Sequence, residues 1–325
     1  MKPTRKRLVY ATTSQPIVLT PVSRDFENTV VRAIAADPRG EFIAVAGDDH
    51  AIRVLDATSL ATVATLQAHT DLIRSMHFAG DGSYLASAGN DGQLIVWDRG
   101  QNFKIRQKMQ GKFALACARF SPSGDEMAAV GFQNEVYLFG RGKSVGPSRT
   151  ECECTDLRAL AYRPDGKLLV VGGRSGKLHV FDRSSGKLLG DFEAHAGRIH
   201  AVEFLEDSST VASVGEDGRV VLFDTKAMKV RSRIEVADGK LFAICVLDNQ
   251  HLAVSGSDNL VRLVDCQQER PTEVLRGHTG SVASLAFSGD QLFSGGYDAT
   301  VRRWQLTGLN GGRERIAERQ NPLDR

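Results

Sequence analysis

The chain has 325 residues, a formal net charge of +2, 42% hydrophobic residues and 25% charged residues. That balance is ordinary for a soluble globular protein, and its near-neutral field makes no argument for nucleic acid or a membrane surface. No apolar run approaches the roughly 18 residues of a membrane-spanning helix. The basic start (Lys2, Arg5, Lys6, Arg7) is followed by Ala11-Thr12-Thr13-Ser14-Gln15, too polar for the core of a secretory signal. The expectation is a soluble, cytoplasmic protein without membrane contact.

In chain order, Ile17-Val18-Leu19 precedes any repeat and reads as a strand. From there on, strands end in an apolar residue followed by a polar one or glycine: Leu55-Asp56, Trp97-Asp98, Phe139-Gly140, Phe181-Asp182, Phe223-Asp224, Val264-Asp265 and Trp304-Gln305. The steps between them are 42, 42, 42, 42, 41 and 40 residues. The second unit shows the grammar. His69-Thr70-Asp71 leads into a strand from Leu72 to Phe78, and Ala79-Gly80-Asp81-Gly82 reverses the chain. Strands follow at 84–88 and 93–97 across the tight turn Asn90-Asp91-Gly92, with a fourth at about 104–109.

First turns recur as Asp37-Pro38-Arg39-Gly40, Ser121-Pro122-Ser123-Gly124, Arg163-Pro164-Asp165-Gly166 and Ser288-Gly289-Asp290. Third strands recur at 51–55, 135–139, 177–181, 219–223, 260–264 and 300–304. Four short strands in a period near 42 residues are the mark of a propeller blade. Length alone would suggest two domains, but the repeat overrides it. The predicted fold is all-β, a seven-bladed β-propeller of four-stranded antiparallel blades. It occupies residues 1–307, with 1–29 as closing strand and lead-in, repeats over about 30–307, and 308–325 as a charged, mobile tail. Ile17-Val18-Leu19 would supply the strand that the seventh unit lacks, so ring closure removes a sheet edge. The segment 141–148, rich in glycine and serine, reads as a surface loop.

These residues and this spacing resemble the WD-repeat family over about residues 30–307. The resemblance implies a buried polar network of His69, Ser87, Asp91 and Trp97 in the second unit and His278, Ser294, Asp298 and Trp304 in the seventh. The fifth keeps His195, Ser213 and Asp217 but has Phe223 in the tryptophan place. Units one and six retain only the turn aspartates, Asp49 and Asp258. Units three and four carry Gln133 and Ser175 there, so packing alone is expected to hold them and they should form the looser part of the ring.

Chemistry is not evident. A Ser-His-Asp set that recurs once per blade is a staple and not a catalytic triad. Gly172-Gly173-Arg174-Ser175-Gly176-Lys177 is one residue short of a phosphate loop, has Leu178 in place of the required Ser or Thr, and sits in a strand-to-strand turn. Gly142-Lys143-Ser144 lacks its first glycine, with Tyr137 in that place. The five cysteines are odd in number and dispersed, unlike a disulfide framework. Cys117 and Cys245 fall on apolar strands as small core residues, whereas Cys152 and Cys154 would share one strand face. No second ligand pair stands near them, so neither metal nor cofactor is expected.

The resemblance also implies that partners dock on the face built by the turns between second and third strands and by the starts of first strands. Register places Arg32, Arg74, Arg158, Arg174, Arg198 and Lys240 there, against Asp48, Asp156 and Glu216. Phe132, Phe242 and Tyr297 add aromatic surface. Arginine among aromatics is the composition of interface hot spots. The expectation is a non-enzymatic scaffold whose face binds a protein or peptide, acidic or phosphorylated, and helps assemble a multiprotein complex. The alternative is a subunit of an RNA-processing or ribonucleoprotein particle, which the near-neutral charge does not favour.

Overall fold

A computed structural model describes residues 21–27, 29–140, 148–207 and 209–306. The strand expected at 17–19, the tail at 308–325 and the Gly142-Lys143-Ser144 segment lie outside them. The described residues form seven four-stranded antiparallel sheets arranged as the blades of a propeller. The second blade, for instance, runs Ile73–Phe78, Tyr84–Gly89, Gln93–Asp98 and Lys104–Gln110 from the axis outward. Third strands begin and end within a residue of the positions read from the repeat.

Alternation explains why blades need each other. Both faces of the inner strands are apolar, so a lone blade would leave two faces wet. Seven buried clusters fill the seven junctions between neighbours. Between blades one and two, Ala44, Ile52 and Val54 meet Ile73, Leu85 and Trp97.

Local chemistry turns each strand back. The polar residue after the repeated apolar one is usually aspartate because its carboxylate caps the turn to the outer strand. Asp224 Oδ1 accepts from the Lys226 and Ala227 N–H at 2.8 and 2.9 Å, and Asp265 repeats this on Gln267 and Gln268. The turns between second and third strands need a left-handed residue. Gly92, Gly176 and Gly218 supply it at φ near +70°, whereas Ala299 is held at +58° in the seventh blade.

The ring closes with an N-terminal strand, Val22–Asp25. It pairs antiparallel with the strand Thr300–Gln305, Val22 opposite Arg303 and Asp25 opposite Thr300. The anchor that decides this is Phe26, buried in the junction between blades seven and one, with the Arg24 and Arg53 guanidinium groups over its ring at 5.1 and 5.6 Å. Arg24 also donates to Thr62 Oγ1 at 2.7 Å, tying the closing strand to blade one.

In blade two, the Trp97 indole N–H donates to Ser87 Oγ at 2.9 Å, and the Ser87 hydroxyl donates to His69 Nε2 at 2.8 Å. His69 Nδ1–H in turn donates to Asp91 at 2.9 Å. Blade seven repeats the chain through Trp304, Ser294, His278 and Asp298 at 2.8, 2.7 and 2.9 Å. Blade five keeps His195 at 2.8 Å from both Asp217 and Ser213, with Phe223 packed on Phe192 in place of the indole. In blades one and six an arginine of the third strand replaces the histidine: Arg53 on Asp49 at 2.5 Å and Arg262 on Asp258 at 2.6 Å.

Blade four corrects one expectation. Packing alone does not hold it, because His179 on the third strand is buried and donates from Nδ1 to Asp191 at 2.6 Å. Asp191 stands directly opposite His179 in the outer strand, a pairing that a scan of the repeat positions does not reveal. Cys152 and Cys154 also differ from expectation. The strand ends at Glu151, so both lie in the segment after it, buried between blades three and four.

Candidate functional site: a cationic channel mouth

All seven innermost strands carry a register irregularity just after their first residue. The residues left out of the pairing are Arg32, Arg74, Ala116, Arg158, His200, Phe242 and Ala283. A bulge frees a side chain from the pleat and re-aims it. Arg32, Arg74, Arg158, His200 and Phe242 thereby line the mouth of a central channel of about 460 Å³.

Further along the channel, Arg119 of blade three meets Glu203 of blade five at 3.2 Å, and Arg119 also donates to Ser75 Oγ at 3.1 Å. His77 lines the same stretch and accepts the Phe120 N–H on Nδ1 at 3.2 Å. Burial, with Arg119 beside it, pushes its pKa down to about 3, so it stays neutral.

The sequence-predicted cations do not behave alike. Arg198 is paired with Asp156 at 3.0 Å and with Glu216 at 3.6 Å, and Lys240 with Glu216 at 2.9 Å. Arg158 also lies against Asp156, its Nε close to Oδ1 but off the line of the N–H, which makes an ion contact without a good hydrogen bond. Arg32 and Arg74 have no carboxylate within ion-pair distance among the described residues. Arg32 meets the Tyr297 hydroxyl and lies 4.4 Å from that ring's centre. Arg74 donates from Nε to Asn90 Oδ1 at 2.8 Å. The Phe132 ring carries both Arg158 at 4.0 Å and Arg74 at 5.9 Å.

Burial, with Arg158 and Arg32 nearby, holds the Arg74 guanidinium below its ordinary range. That is the signature of a site short of negative charge. Buried polar atoms sharpen it, since Arg32 Nε, Arg198 Nε and His200 Nε2 have no hydrogen-bond partner among the described residues. His200 is pushed down to about 4 by burial, and its ring stands edge-on to Phe242 at 5.4 Å. Arg174 is exposed on its turn, and no side-chain contact among the described residues joins it to this cluster. Arg119 and Glu203 belong to the site but not to the sequence-predicted set. Their signal is the repeat itself, because each occupies a channel-lining register position in its blade.

The WD40 model, described as WD domain, G-beta repeat, matches residues 22–56, 60–98 and 269–305. A second model, described as the anaphase-promoting complex subunit 4 WD40 domain, matches residues 118–207. A search of curated proteins found no match. With seven four-stranded blades closed by the N-terminal strand, the chain belongs to the WD-repeat family and is one of its seven-bladed propellers.

Proposed function

We propose that this propeller is a non-enzymatic interaction scaffold that binds an acidic or phosphorylated peptide segment at the channel mouth and so helps assemble a multiprotein complex. Propellers of this family generally mediate protein interactions. The observation that carries the reading is the cluster Arg32, Arg74 and Arg158, in which burial and then the other two guanidinium groups disfavour the Arg74 charge, and among the described residues no carboxylate lies within ion-pair distance of Arg32 or Arg74. An incoming carboxylate or phosphate would relieve that repulsion and accept the unpartnered donors by paired hydrogen bonds. Phe132 and Tyr297 flank the position and give apolar area beside the charge.

The rim is patchy, with Asp156 and Glu216 neutralising the side of Arg198 and Lys240. That pattern suits a peptide with one concentrated anion better than a continuous phosphate backbone, which asks for an unbroken basic track.

Affinity capture tests it. The Arg74→Ala/Arg158→Ala variant is expected to lose a nuclease-resistant protein partner, on the order of a tenfold or greater fall in affinity. Lys240→Ala, whose charge Glu216 already answers, should change capture by less than about threefold. Equal capture by wild type and the arginine variant would overturn the assignment. Loss of the partner on nuclease treatment, with a steep salt dependence, would instead support a ribonucleoprotein role.

A further inference from the structure

Blade three differs from its neighbours on the face that carries the channel mouth. Its bulged residue, Ala116, stands between Arg74 of blade two and Arg158 of blade four in the ring of freed side chains. A methyl group fills little space there, so the ring has a recess flanked by two guanidinium groups. Both groups turn toward blade three, since the Phe132 ring lies 4.0 Å from Arg158 and 5.9 Å from Arg74. Asn90 takes the Arg74 Nε at 2.8 Å, and among the described residues no carboxylate lies within ion-pair distance of that guanidinium.

A second ring extends this wall away from the axis. Phe113, three residues before Ala116, is 40% exposed, and neither it nor Phe132 belongs to any of the seven buried clusters. No other blade has a large apolar residue at that position, which holds Thr29, Asp71, Thr155, Gly197, Gly239 and Gly280 elsewhere. The position abuts the turn between second and third strands. A Cβ at Gly197 would stand 3.1 Å from the Cβ of Glu216, and one at Gly280 3.3 Å from the Cβ of Tyr297. The backbone bonds that set this register, Glu216 N–H to the Arg198 carbonyl and Tyr297 N–H to the Ser281 carbonyl, recur in blade three as Phe132 N–H to the Ala114 carbonyl at 3.4 Å. Phe113 therefore stands on the same shelf as Phe132. It lies in the link from the outer strand of blade two to the inner strand of blade three, which puts it outward of Ala116. One exposed phenylalanine is ordinary, but two rings continuous with an unanswered pair of arginines have the composition of a binding surface.

Building on the mouth's role as an anion site, we infer that the bound peptide runs outward across blade three and carries a second recognition element. Its anionic residue sits in the recess over Ala116, between Arg74 and Arg158, and a nearby apolar side chain packs on Phe132 and Phe113. The arginines select the charge by paired hydrogen bonds, and the rings select the neighbour by removing its apolar area from water. Three residues separate Ala116 from Phe113, so the two positions lie at most roughly 10 Å apart. An extended peptide covers that distance in about three residues, which sets the apolar side chain roughly two to four positions from the anion. Toward blade five the path is less suited to an anionic segment, because Asp156 and Glu216 already neutralise Arg198 and Lys240.

The test is selection from peptide libraries by the full-length chain. One library has a fixed phosphoserine, one a fixed glutamate and a control a fixed alanine, with every flanking position randomised. Wild type is expected to select Leu, Met or Phe over Gly by about fivefold or more at one position near the fixed anion. Phe113→Ser should keep the selection for the anion and lose the apolar preference, whereas Phe113→Leu should keep both. Because Phe113 lies outside the buried clusters, both variants should melt near wild type. Anion-dependent binding with no apolar preference, or a preference unchanged in Phe113→Ser, overturns the path across blade three and leaves the anion site standing. Binding of the phosphoserine and glutamate libraries no better than the alanine control overturns the anion site and the path together.

Discussion

Blades two and seven and blade four solve one problem in opposite electrostatic states. Each must bury a polar cluster between apolar faces. The first two do so with a neutral imidazole relaying hydrogen bonds from indole and hydroxyl to a carboxylate. Blade four does so with an imidazole tipped toward its charged form by Cys154 and Asp191. The lesson is that the fold asks for satisfied donors, not for one residue set, and that a departure from the repeat marks a place where the chemistry is free to change.

The largest effect expected is in blade seven. Asp298 accepts from His278, from the backbone N–H of Thr279 and Thr300, and from the Thr300 hydroxyl. Asp298→Ala orphans all of them and should cost about 3–5 kcal/mol in chemical denaturation. Gln133→Ala, at the equivalent turn of blade three, should stay within about 0.5 kcal/mol. Similar losses for the two would erase the distinction between blades.

Next comes Asp191→Asn in blade four. Asp191 is partly exposed, with a side-chain accessibility of 25%. A loss of about 1–2 kcal/mol is expected, read as faster amide exchange in Lys177–Asp182 and Leu188–Glu193. No change would restore the view that packing alone holds this blade.

Titration should separate the blades by sign. Burial holds His69 and His278 below their unfolded value of 6.5, against the pull of Asp91 and Asp298. The folded state therefore binds fewer protons there, and the stability these groups contribute is present above about pH 6.5 and lost as pH falls toward their folded values. His77 and His200, lowered to about 3 and about 4, add to the same loss. His179 is raised, so its contribution is present below about pH 6.5 and is lost as pH rises through its folded value. Amide exchange at pH 5 and pH 8 should thus weaken blades two and seven in acid while blade four moves the other way. A parallel response in all three would contradict these assignments.

The smallest effect concerns the turn of blade seven. Ala299 occupies the left-handed region where blades two, four and five have glycine. Ala299→Gly should stabilise by about 1 kcal/mol or less, the relief of αL strain less the added freedom of the unfolded chain. A clear destabilisation would show that the methyl group packs usefully.

Much of this was legible in the chain. The blade count, the strand order and the turns follow from a period that repeats one local grammar, and local grammar is what alternation, glycine and aspartate encode. The rim positions were legible for the same reason, since register alone puts Arg32, Arg74 and Arg158 on one face. Tertiary structure decided what those side chains are worth. Asp156 reaches Arg198 in the next blade and Glu216 reaches Lys240, pairings between blades that no local pattern records. The bulges that turn Arg32, Arg74 and Arg158 into the channel arise from how seven sheets crowd one axis. Blade four's ion pair likewise exists only because strand pairing sets Asp191 across from His179. Sequence determined the frame, because its rules act between near neighbours. Folding chose which charges are answered, because charges are answered across space.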